Sequence, residues 1–220
     1  MRRIDTLCIQ RSIRFPPPPP NPPRAPTPAP PPAGTPHPRP TPPGPRNNRR
    51  NNNRLKTYQP YEKQARFHRF GATCKQRLLR AGNQQGKTFA GAMEMAMHLT
   101  GRYPPWWQGR RFDHAVDAWA ACDTGETTRD NPQRALMGAL GQWGTGAIPH
   151  DALIEAKRGQ GTADGLDIVL LRHSSGGVSK LGFKRYDQGR EAWQGPAKHV
   201  IWCDEEPPAD ALATLQLEAV

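Results

Sequence analysis

Beyond Thr57, short apolar runs separated by polar turns set out an alternation of strands and helices. Residues 61–70 read as a helix, and Arg77-Leu-Leu-Arg80 reads as a short apolar strand that leads into a glycine-bearing loop. Thr88–Leu99 is a run rich in Ala and Met, good helix material with Gly91 as its one weak position. Val116–Cys122 predicts a second, buried strand. Pro132–Leu140 predicts a helix whose start is marked by Asp130 or Asn131 as cap, with Pro next to it. Asp167–Arg172 and Val178–Lys184 flank Ser174-Ser-Gly-Gly177, a hairpin signal. A last apolar run, His199–Cys203, ends in three acids. Strands alternating with helices predict an α/β domain over residues 57–220, with a mainly parallel sheet and flanking crossover helices.

The composition changes at Lys56. Residues 1–56 hold 18 of the 26 prolines, 11 of the 31 Lys and Arg, and one of the 19 Asp and Glu. This stretch has no apolar surface to offset the entropy of ordering its backbone, so it predicts a disordered, polyproline-like tail. Most of the +12 net charge belongs to that tail, so the bulk charge does not assign a nucleic-acid face to the folded part. No run approaches the roughly 18 apolar residues that a spanning helix needs, and Leu7–Ile9 is broken by Gln10 and Arg11, so neither a membrane span nor an export signal is predicted. Cys8, Cys74, Cys122 and Cys203 lie far apart with no C-x-x-C pair, which argues for reduced thiols and against a zinc knuckle or disulfide framework.

The chemistry begins at Ala81-Gly-Asn-Gln-Gln-Gly-Lys-Thr88, a phosphate-loop pattern with Ala in place of the first Gly. Ala81, Gly82, Asn83, Gln84, Gln85 and Gly86 supply backbone N–H groups that a curled loop points at phosphates, and Gly86 permits the curl. Lys87 would neutralise the β and γ phosphates, and the Thr88 hydroxyl would bind Mg²⁺. The pattern follows a predicted strand and opens a predicted helix, as a nucleotide site requires.

Val200-Ile-Trp-Cys-Asp-Glu-Glu206 is an apolar strand that delivers acids to its C-terminal end, where open α/β sheets bind ligands. Asp204 would hold Mg²⁺ and Glu205 would polarise the attacking water, since neighbouring residues at a strand end point to opposite sides. Upstream, Gln64 in Tyr61-Glu-Lys-Gln-Ala-Arg-Phe-His68 offers an amide able to pair with both edges of adenine. The same pattern also describes a surface Gln on an amphipathic helix.

Together with Tyr103-Pro-Pro-Trp-Trp-Gln-Gly-Arg-Arg-Phe112, Glu126-Thr-Thr-Arg-Asp130, Gly144-Thr-Gly-Ala-Ile-Pro149 and Gln188-Gly-Arg-Glu-Ala-Trp-Gln-Gly195, these segments resemble the ATPase domain of tailed-phage and prophage terminase large subunits. The resemblance covers about residues 58–220. It implies a P-loop NTPase fold of the RecA-like ASCE type and a motor that uses ATP and Mg²⁺ to drive double-stranded DNA into procapsids. It also implies a portal protein and a terminase small subunit as partners, a ring homo-oligomer on the portal, and work in the host bacterial cytoplasm. By resemblance, Gln64 senses adenine, Lys87 and Glu205 are catalytic, and Thr88 and Asp204 hold the metal.

The sequence departs from that family in two ways. Asn83-Gln84-Gln85 supplies no arginine within the loop, leaving Arg80, Arg129 and Arg190 as candidates for transition-state charge. The resemblance also reads the chain as C-terminally incomplete, without a coupling strand or a nuclease domain. Other readings are another P-loop ATPase such as a nucleic-acid helicase, a nuclease holding two metals on Asp204, Glu205 and Glu206, and an inactive prophage remnant.

Overall fold

A computed structural model describes residues 5–11, 53–194, 197–209 and 211. Seven strands form one sheet: β1 (Asp5–Arg11), β2 (Gln76–Ala81), β3 (Asp117–Cys122), β4 (Leu153–Arg158), β5 (Leu166–Arg172), β6 (Val178–Arg185) and β7 (Val200–Cys203). Their order is β2-β1-β7-β3-β6-β5-β4. From β2 to β6 every neighbouring pair is parallel, while β6–β5 and β5–β4 are antiparallel. The α/β class and the parallel centre agree with the sequence pattern, and the sheet is mixed because a β5–β6 hairpin and the edge strand β4 extend it. The hairpin turns where predicted, with the His173 N–H on the Gly177 carbonyl (2.9 Å) and Gly176 at φ 91°.

The helices are α1 (Arg54–Thr57), α2 (Glu62–Phe70), α3 (Lys87–Thr100), α4 (Gly125–Thr128) and α5 (Arg134–Met137). α3 carries the main core: Ala90 to Thr100 are all buried, and its Ala and Met residues pack against Val200, Trp202, Ala118 and Leu181 on one face of the sheet. A smaller cluster on the other face joins Trp119, Ala121, Ile201 and Cys203 to Tyr186, Trp193 and Ala211. β7 is therefore buried at all four positions, as expected of a parallel strand covered on both faces. β4, at the edge, exposes four of its six residues.

Two expectations need correction. The helix expected over Pro132–Leu140 starts earlier, at Gly125, where the Thr124 hydroxyl accepts the Thr127 N–H (3.2 Å). Pro132 lies inside a π-helical turn, Arg129–Gln133, between α4 and α5, a wider turn suited to a residue that lacks an N–H. The other correction concerns the tail: Asp5–Arg11, counted by composition with a disordered segment, is a strand in the middle of the sheet. Its alternating apolar residues are short enough to be swamped by the prolines that follow. The rest of the expected tail up to residue 52 lies outside the described residues, and Arg54–Thr57 forms α1.

Candidate active site

β2 ends at Ala81 and α3 begins at Lys87, so the loop between them opens directly into a helix N-terminus. The turn depends on two left-handed residues, Gln84 (φ 59°) and Gly86 (φ 70°). A Cβ at Gly86 would also stand 3.1 Å from the Gln64 amide nitrogen. Lys87 is buried and folds back into the loop, its ammonium donating to the carbonyls of Ala81 and Gly82, both at 2.7 Å. An anion in the loop would take over those hydrogens with little movement of the side chain. Gly82, Asn83, Gln84 and Gln85 form the open rim of the loop, and Asn83, Gln84 and Gln85 are exposed.

Asp204 follows β7 and is buried, its N–H bonded to the Ala121 carbonyl (2.9 Å). The Thr88 hydroxyl donates to Asp204 Oδ2 at 3.3 Å, across 116 residues of sequence. Loop and acidic strand end are thus brought together as the sequence predicted. A hydroxyl and a carboxylate oxygen side by side are the hard donor set that suits Mg²⁺. Glu205 is half-buried and is held through its carbonyl by the Tyr186 hydroxyl (2.9 Å), while Glu206 is exposed. The Cys122 thiol, at the adjacent end of β3, is pushed up first by burial and then by the charges of Asp204 and Glu205, so both carboxylates act on one small region.

Gln64 is buried rather than presented on a surface. Its Nε2 donates to the carbonyls of Gly86 (3.1 Å) and Gln85 (3.5 Å), and its Oε1 accepts the Tyr61 N–H (3.0 Å) at the start of α2. Both ends of the amide therefore tie α2 to the phosphate loop. Behind this tie lies a network that the sequence reading missed. Glu94 on α3 is fully buried and meets Arg77 of β2 (2.8 Å), His68 of α2 (2.6 Å) and His98 one turn further along α3 (3.3 Å). Burial pushes the Glu94 carboxyl up, but the Arg77 charge and the hydrogen bonds from His68 and His98 outweigh it and hold the group well below the usual carboxylate range. Tyr58 and Tyr103 cap the two histidines, each at 3.0 Å. An acid four residues before a histidine, inside a helix otherwise made of Ala and Met, was the available signal.

Of the three arginines considered for transition-state charge, Arg80 is exposed on β2. Arg129 is engaged with Asp130 (2.8 Å) and the Ala163 carbonyl (3.1 Å), beside a cavity of about 400 Å³ that Arg158, Lys184 and Arg185 also line. The Arg190 side chain lies outside the described residues.

Residues 78–220 match the family model "Terminase large subunit, T4likevirus-type, N-terminal". The chain is also 38% identical over 181 residues to the "Terminase, large subunit" of Salmonella phage P22, an alignment that covers 73% of this chain and 36% of that protein. The chain thus spans about a third of the length of the relative it matches. No solved structure matches it. The matched region holds the phosphate loop, the Thr88–Asp204 contact and Glu205, and the chain belongs to the terminase large subunit family.

Proposed function

We propose that this chain binds Mg·ATP at Ala81–Thr88 and hydrolyses it, as the motor part of a terminase large subunit that packages double-stranded DNA into procapsids. The observation that carries the reading is the Thr88–Asp204 hydrogen bond, which joins the phosphate-loop hydroxyl to an acid on a different strand. Random Gly-Lys-Thr strings have no such partner.

In this reading Lys87 turns from the loop carbonyls to the β and γ phosphates, and the loop N–H groups with the α3 N-terminus cradle the rest. Thr88 and Asp204 would hold Mg²⁺, which when bound supplies charge neutralisation across the phosphates. Glu205 orients and polarises the attacking water, and its fixed backbone keeps the carboxylate near the loop. Gln64 sets the position of the loop relative to α2, and sensing of adenine would require it to exchange one of its present partners. The parallel centre of the sheet supports an ASCE-type P-loop fold. Portal protein, terminase small subunit, a ring of like subunits and the host cytoplasm follow from the family, as does coupling to DNA.

Lys87→Ala tests the assignment by isothermal titration. Loss of the charge-assisted hydrogen bonds, roughly 1.5–3 kcal/mol, weakens Mg·ATP binding by about 10- to 100-fold without lowering the melting temperature by a comparable amount. Parent-like affinity in that variant would remove the loop from the nucleotide site.

A further inference from the structure

β1 lies between the strand that carries the phosphate loop and the strand that carries the acids. Its Thr6–Arg11 pair with Gln76–Ala81 of β2, and its Asp5–Cys8 pair with Val200–Cys203 of β7. β2 is the terminal strand and has no other strand neighbour, so the two halves of the nucleotide site share a sheet only through β1. No helix or hairpin ties β1 to either neighbour: residues 12–52, with 18 prolines, separate it from the rest of the chain.

The winding of the sheet gives that seat a second meaning. α3 crosses from β2 to β3 on one face, while the chain beyond β7 turns helical at Ala209 and packs Ala211 on the opposite face. Parallel crossovers are right-handed in nearly all proteins. With α3 in front, β2 to β3 runs in one direction along the sheet. A crossover helix behind β7 must then run in the other direction, and the first position it reaches is the one β1 occupies.

We propose that the seat between β2 and β7 is a strand-acceptor site and that Asp5–Arg11 is an exchangeable, tethered insert filling it. The seat takes an extended segment in parallel register, and its filling fixes the phosphate loop against Asp204. A strand reaching the seat by the crossover from β7 would compete with β1. The tether keeps the chain's own insert at an effective concentration on the order of millimolar, so free peptide at micromolar levels displaces it poorly.

The test needs no nucleotide and so stands apart from the ATPase reading. Cys8 and Cys203 are register neighbours on adjacent strands, a spacing of roughly 4.8 Å that a short thiol crosslinker spans. In the unaltered full chain at low concentration, peptide mapping finds Cys8 linked to Cys203 within one molecule. Excess synthetic peptide of residues 5–11 with Cys8→Ser lowers the crosslink yield at least twofold at millimolar concentration, and a scrambled peptide does not. In parallel, Leu7→Pro with Ile9→Pro removes ladder donors from β1. This variant melts lower than the parent and binds the fluorescent peptide at least tenfold more tightly than the parent does. Absence of the Cys8–Cys203 link overturns the placement of β1. A link that no peptide concentration reduces makes β1 an integral strand and overturns its exchange, even if the proline variant fails to fold.

Discussion

Gln64 and Gly86 form one contact with two consequences for the loop. Gly86 has a φ of 70° and ends 3.1 Å from the Gln64 amide, so Gly86→Ala combines a left-handed strain of roughly 1 kcal/mol with a collision. Gln64→Ala removes the tie to the carbonyls of Gly86 and Gln85 and leaves the loop less ordered. Because these partners are loop backbone, the affinity for ATP and for GTP falls by the same factor, about three- to tenfold for one or two neutral hydrogen bonds. A loss confined to ATP, seen by titrating both nucleotides, would instead make Gln64 a reader of adenine. The loop itself was legible because each of its residues has a task fixed by its immediate neighbours. The partners of Gln64 were not, since they lie more than twenty positions away and are backbone atoms that no pattern marks.

At the scale of elements, α3 does two jobs. Its first turn serves the phosphate loop, and its middle holds Glu94 in a buried network with Arg77, His68 and His98 that clamps α2 and β2 to it. The helix was readable from its Ala and Met, but the clamp depends on β2 and α2 arriving from outside the helix. Glu94→Gln leaves the buried Arg77 without its charge partner, which costs on the order of 3–5 kcal/mol and lowers the melting temperature by about 10 °C. The pH dependence has a definite sign. The Glu94 carboxyl is depressed in the folded state, so its stabilisation is present above the unfolded value of about 4.5 and is lost as pH falls below it. Melting curves taken down through that range therefore fall more steeply for the parent than for Glu94→Gln. The opposite failure of legibility occurred at α4 and α5, where Pro132 suggested a helix start and instead sits within a continuous helical stretch.

For the whole molecule, composition drew the boundary at Lys56, and the sheet draws it differently by recruiting Asp5–Arg11. Long-range strand order is not written in local periodicity, so a seven-residue strand ahead of a proline-rich stretch had nothing to announce its partners. Charge remains a whole-chain property, and Arg46, Arg49 and Arg50 are positions where it can be changed without touching the described core. Replacing all three by Gln weakens retention on double-stranded DNA at low salt and flattens its salt dependence, while ATP affinity stays unchanged, because these contacts act by counterion release from phosphates. A filter-binding series across salt concentrations checks it. The central claim is that a loop and an acidic strand end, brought together by Thr88 and Asp204, hydrolyse a nucleotide with Glu205 acting on the water. Single-turnover hydrolysis of Mg·ATP by the parent and by Glu205→Gln tests it most directly. The account predicts equal nucleotide affinity and a turnover rate lower by roughly 100-fold or more in the variant, whereas equal rates for the two proteins would contradict it.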